Sequence, residues 1–176
     1  IAHSLDYLGW LAWLGGDDLA ARGLVADSRA LGREVGLNDE SSGEGLAVLL
    51  ARSAGDHAGA LARLRAYLRQ LETAGQRLHG TTRALIWSGI LAADERDFLR
   101  AARLIGAGLQ LRAALGRSDQ LFEHRLIEST LEASRAALGP REFERALAAA
   151  RTMSLDQAIA DALAESARAG QPCVDM

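Results

Sequence analysis

An all-α fold built as a helical solenoid is what this sequence predicts, and three observations predict it. Ala supplies 35 of the 176 residues, Leu 30 and Arg 20, and all three rank at the top of the helix-propensity scale. Val, Ile, Thr and the aromatics together number only 23, too few for a large sheet. The third observation is a framework of spaced residues that occurs three times. Only Pro140 and Pro172 interrupt the composition, so the long middle is free of helix breakers.

The framework is centred on an aspartate. Asp17, Asp56 and Asp97 are each followed at plus four by Ala (Ala21, Ala60, Ala101) and at plus eight by an aliphatic (Val25, Leu64, Ile105). At plus nineteen comes a glycine (Gly36, Gly75, Gly116); upstream stand Leu11, Leu50 and Leu91 at minus six and Ala12, Ala51 and Ala92 at minus five. The offsets between copies are 39 and 41 residues, a period that marks a stacked helical array. Each position has a physical reason. The Asp caps free N–H groups at the start of a second helix and opposes its positive dipole end. The small Ala lets the two helices of a hairpin approach closely, and the aliphatic packs one turn later. The Gly ends the second helix in the left-handed region. Neither helix buries its apolar stripe alone, so neighbouring hairpins must stack.

Taken in order, the first repeat (about 1–36) has helices at about 2–14 and 18–35, broken at Gly15-Gly16-Asp17. The second (about 43–75) has helices at 43–54 and 57–74, broken at Gly55-Asp56. The third (about 80–116) has helices at 80–94 and 98–115, broken at Asp97. Three C-terminal helices follow within 118–169, at 119–138, 141–151 and 155–168, with Gly139-Pro140 between the first two. Ser154 and Gln157 form a capping box for the last. The polar, aperiodic stretch 38–44 is the longest loop. No domain boundary is visible, so 1–176 reads as one helical-repeat domain, and Ile1 in place of Met suggests a section of a longer protein.

Charge and motifs exclude more than they nominate. Twenty basic residues, all Arg, stand against 23 acidic ones, a net charge of −3, which argues against direct nucleic-acid binding. No apolar run approaches the roughly 18 residues that span a bilayer, so no membrane partner is expected. Cys173 is the only cysteine, and a reducing cytoplasmic setting is the expectation. No GxxxxGK[ST] or GxGxxG occurs, so no nucleotide cofactor is expected. His3, His57, His79 and His124 lack metal-ligand spacing. Glu123, His124 and Glu128 share a helix face and read as solvated surface, as do Arg63, Arg65 and Arg69. No acid–base or nucleophile constellation appears, so no catalytic, cofactor or metal residue is nominated and the chain is not expected to be an enzyme.

Leu5, Leu8, Gly9, Ala12, Gly16, Asp17, Ala21 and Val25 in the first copy, and Leu85, Gly89, Ala92, Asp97, Ala101 and Ile105 in the third, resemble the tetratricopeptide repeat. The second copy departs from it, with Glu44 at the usual Trp and Val48 at the usual Gly. The C-terminal third carries a second resemblance, from Ala101-Ala102-Arg103-Leu104-Ile105-Gly106-Ala107 through Ala137-Leu138-Gly139 and Phe143 to Met153-Ser154-Leu155-Asp156-Gln157-Ala158-Ile159. It is similar to the end of the tetratricopeptide region in large bacterial signal-transduction ATPases, including LuxR-type and antibiotic-regulator-type transcription factors and related cyclases. The resemblance implies a right-handed αα superhelix of three hairpins plus three helices. It also implies a non-catalytic module that binds a protein or peptide, or its own parent's NTPase and effector domains.

In such arrays the first helix of each hairpin lines a concave groove. Carried over, those positions nominate Tyr7, Trp10, Trp13, Leu49, Arg52, Arg83, Trp87 and Ile90 as partner-binding residues. Arg52 and Arg83 would then clamp an acidic group, and the three tryptophans would be partly exposed. The competing reading buries the tryptophans between helices. A second functional class, the sensing of a small-molecule inducer in the same groove, stays open beside the interaction module. An apolar end face is also expected to drive self-association through the Ile1–Leu14 helix as a dimer.

Overall fold

The computed structural model describes residues 2–34, 43–73, 77–116 and 121–164, and every element among them is a helix. They are α1 (Ala2–Leu14), α2 (Asp18–Glu34), α3 (Glu44–Ser53), α4 (His57–Thr73), α5 (Arg77–Asp94), α6 (Phe98–Ala114), α7 (Leu121–Leu138), α8 (Pro140–Thr152) and α9 (Leu155–Leu163). The fold is all-α and of the helical-repeat class.

The repeated residues make repeated structure. Asp17, Asp56 and Asp97 accept hydrogen bonds from the amides three residues on, of Ala20 at 2.9 Å, Gly59 at 2.8 Å and Arg100 at 3.2 Å. The turn before each cap is also one turn built three times. The amides of Asp17, Asp56 and Asp97 donate to the carbonyls of Ala12, Ala51 and Ala92, each at 2.9 Å. That turn requires a left-handed residue just before the Asp, filled by Gly16 (φ 80°) and Gly55 (φ 77°) but in the third copy by Arg96 (φ 60°). Ala21, Ala60 and Ala101 are wholly buried, and Val25, Leu64 and Ile105 lie beside them in the core. Gly116 is left-handed (φ 64°) where α6 ends; Gly36, Gly75 and the loop residues 38–42 lie outside the described residues. Gly43 and Glu44, which the expected loop 38–44 and the expected helix 43–54 share, fall to the helix as the N-cap and first residue of α3. The capping box of α9 is complete, with Ser154 Oγ accepting from the Gln157 amide at 3.2 Å and Gln157 Oε1 accepting from the Ser154 amide at 2.8 Å.

The hairpins α1–α2, α3–α4 and α5–α6 pack in series, and their first helices touch in turn, α1 on α3 and α3 on α5. One apolar core runs from Trp10 in α1 to Ala162 in α9. Beyond α6 the plan changes. α7 and α8 pack on α6, with Phe143 and Ala146 against Ala102, but α9 turns back and lies on α4, α5 and α6. Of the three further helices expected in the stack, only α9 departs from it, since α7 touches α5 as α5 touches α3. Apolar and polar contacts hold α9 there together, with Ala158 and Ala162 in the core. Asp161 is held by Arg103 at 2.8 Å, and the Asp161 and Ala164 carbonyls by Arg100 at 2.5 and 2.7 Å. Arg65, expected on a solvated face, also reaches the Ala164 carbonyl, at 3.4 Å. Guanidinium groups at a helix C-terminus satisfy its unpaired carbonyls and oppose its dipole, which helps fix where α9 comes to rest.

Candidate functional site

The nominated groove residues all sit on α1, α3 and α5, as their spacing requires, but half of them are buried. Trp10 is 5% exposed and Trp87 2%, and Leu49 and Ile90 are buried with them. The expectation that the tryptophans are partly exposed is therefore corrected for Trp10 and Trp87; Trp13 is half-buried. Trp87 shows why. Its six-membered ring lies over α3 so closely that a Cβ on Gly45 would fall 1.7 Å from Cη2. Only glycine permits that approach, and the indole fills the space between two first helices. Trp10 meets Trp13 edge-to-face at 5.8 Å between ring centroids. The Arg83 guanidinium stands 5.9 Å from the centroid of Trp10 and 5.2 Å from that of Trp87, within cation–π range of both.

The polar members of the line tie one hairpin to the next. Trp13 Nε1 donates to Ser53 Oγ at 3.5 Å, 40 residues on. Arg52 donates twice to Asp94, at 2.5 and 2.7 Å, 42 residues on. Arg83 donates to Glu123 at 3.4 Å, again 40 residues on. Arg52 and Arg83 do clamp carboxylates, but those of the chain itself, which corrects the expectation that they await a partner's. The hydrogen bond from Arg52 to Asp94 holds the guanidinium above its ordinary pKa, against the lowering effect of burial. Glu123 is almost wholly buried and also accepts from Arg112 at 3.0 Å, so α5, α6 and α7 meet at one carboxylate. Sequence reasoning placed Glu123 on a solvated face with His124 and Glu128. Only the latter two remain there, paired at 3.1 Å, and Arg112 was missed. The available signal was an acidic residue about one repeat period after each groove arginine.

A different surface remains open. Tyr7, Leu8, Leu11 and Leu14 on α1 and Leu19 on α2 are all at least half exposed. The α1 residues follow a 7, 8, 11, 14 spacing, which is one face of a helix. Trp10, Gly9 and the partly covered Leu5, Ala12 and Trp13 occupy the other side. α1 is thus apolar nearly all round, the pattern of a helix covered on every side, yet it is covered on one. Of the nominated site residues, Tyr7 alone lies on this open face.

Among the described residues no group of three or more His, Cys, Asp and Glu is placed to hold a metal ion, and no helix is long and apolar enough to cross a membrane. Compared with known proteins, the chain matches no protein-family model, no curated protein and no solved structure.

Proposed function

We propose that the chain is a non-catalytic helical-repeat module for protein–protein or intramolecular regulatory contacts, working within a bacterial signalling or transcription regulator. The apolar outer face of α1 carries the proposal. Five large side chains gathered on one hairpin leave a patch that soluble surfaces avoid unless it is an interaction site. The resemblance of the C-terminal third to the arrays of signal-transduction ATPases supports the regulatory setting. The nominated line lends no support to the inducer-sensing reading, because Arg83 stands over Trp10 and Trp87 and both arginines are paired with the chain's own carboxylates.

The test is a photo-crosslinking amino acid at position 11 in the native host, beside the same probe at the exposed Arg141 on α8. One discrete adduct is expected from position 11, with another protein or another domain of the same polypeptide. It should vanish in the Leu14→Asp background. Diffuse labelling of equal strength from both positions overturns the proposal.

A further inference from the structure

The interaction reading leaves open what covers α1, and the inference here rests on it. Shifting by one repeat carries Tyr7 to Leu46 and then Trp87, Leu11 to Leu50 and then Leu91, and Leu14 to Ser53 and then Asp94. In the second and third hairpins the first and last of these positions meet the hairpin before, and the leucine between them is buried in the core. Leu46 packs on α1 so closely that a Cβ on Gly9 would fall 3.0 Å from its Cδ2, and Trp87 packs on Gly45 of α3. Ser53 accepts from Trp13 of α1, and Asp94 from Arg52 of α3. Covered in this way, Leu46 and Trp87 are 0% and 2% exposed while Tyr7 is 54%; Leu50 and Leu91 are 3% and 2% exposed while Leu11 is 57%. The open face of α1 therefore carries the two positions that form each seam further along and the leucine that is buried between them in the later copies.

We propose that the occupant of this face is one more helical hairpin of the same repeat, stacked ahead of α1 and continuing the array, in preference to a second copy paired α1 to α1. The seam chemistry describes it. Its first helix offers a glycine or alanine where Tyr7 enters, as Gly9 and Gly45 do for Leu46 and Trp87. Its last turn differs from those of α1 and α3. Where α1 presents Trp13 to Ser53 and α3 presents Arg52 to Asp94, the occupant presents an apolar group, because Leu14 offers nothing to hydrogen-bond. Charge agrees, since positions 7–16 contain no charged residue. A terminal hairpin needs a polar outer face to stay soluble, and α1 lacks one.

The test extends the full chain with a duplicate of residues 2–42 placed ahead of residue 2, so that Gly9 and Trp13 of the duplicate face Tyr7 and Leu14. Hydrogen exchange of the original α1 amides should slow at least tenfold, with a gain in helical signal from the added hairpin. Leu11→Asp in the original α1 should abolish that slowing. Unchanged exchange overturns the proposal, and so does an added hairpin that gains no helix. Sedimentation of the unextended chain is the second arm. A dimer with Kd below roughly 10 µM, broken by Leu11→Asp, overturns the hairpin in favour of self-pairing while leaving the interaction reading intact. A monomer above that concentration is the expected result. Absence of the position-11 crosslink would instead strike the interaction reading itself.

Discussion

The first and third hairpins share a framework yet live in opposite surroundings. Both carry the aspartate cap, the buried alanine at plus four and the same three-bond turn. In the third hairpin, Trp87 presses on α3, Leu91 is buried in the core, Asp94 takes Arg52, and α7, α8 and α9 cover the other sides. In the first, the equivalent Tyr7, Leu11 and Leu14 face outward. Two hairpins with one local code thus carry different amounts of tertiary burial. The code makes a hairpin, and the neighbour decides whether a given leucine stabilises it. The far end of the molecule reinforces the point, since from Glu123 to Ala164 no large hydrophobic side chain is exposed. One end is closed by polar helices and the other is open.

Paired substitutions at equivalent positions sharpen this comparison, each read by urea titration with circular dichroism. The largest effect is expected at the aromatic position. Trp87→Ala should cost about 3–5 kcal/mol because it empties the space over Gly45, whereas Tyr7→Ala should stay within about 0.5 kcal/mol. Equal losses at the two positions would break the comparison outright. Next come the leucines, with Leu91→Ala expected to cost about 3 kcal/mol and Leu11→Ala about 0.5 kcal/mol or less. At the seam, Arg52→Ala removes two charge-assisted hydrogen bonds to a half-buried partner and should cost about 1–2 kcal/mol. High salt should shrink that loss in part, since the pair is only partly shielded from solvent.

The smallest effect tests the turn itself. Arg96 holds the left-handed conformation that Gly16 and Gly55 supply in the other copies, at a cost of about 1 kcal/mol for a residue with a Cβ. Arg96→Gly should raise stability by about 0.5–1 kcal/mol, and Gly16→Arg should lower it by a similar amount. A loss on Arg96→Gly would show that the side chain's own contacts outweigh the backbone strain.

Most of the helical architecture was legible because it rests on interactions within a few residues. A carboxylate three residues before an amide, a small residue where helices cross and a serine–glutamine capping box are each written in neighbouring positions. The period was legible because three copies repeat these local signals. The tryptophans were not, since helical spacing places Trp10 and Trp87 on first helices without stating how closely the next helix approaches. For Trp87 that distance depends on Gly45, which is 42 residues from the ring it admits. Nor was the reversal of α9, which rests in part on Arg65, Arg100 and Arg103 meeting Asp161 and Ala164 from about 60 to 100 residues away.

The sequence by itself determined that this protein is a series of capped helices with a recurring hairpin, because caps, turns and amphipathic spacing act through bonds between near neighbours. Only the tertiary structure decided which aromatic residues are mortar and which face outward. It also decided which arginines are consumed by internal carboxylates. Burial and ion pairing at those places depend on which helix arrives next, and that is a property of the packed whole.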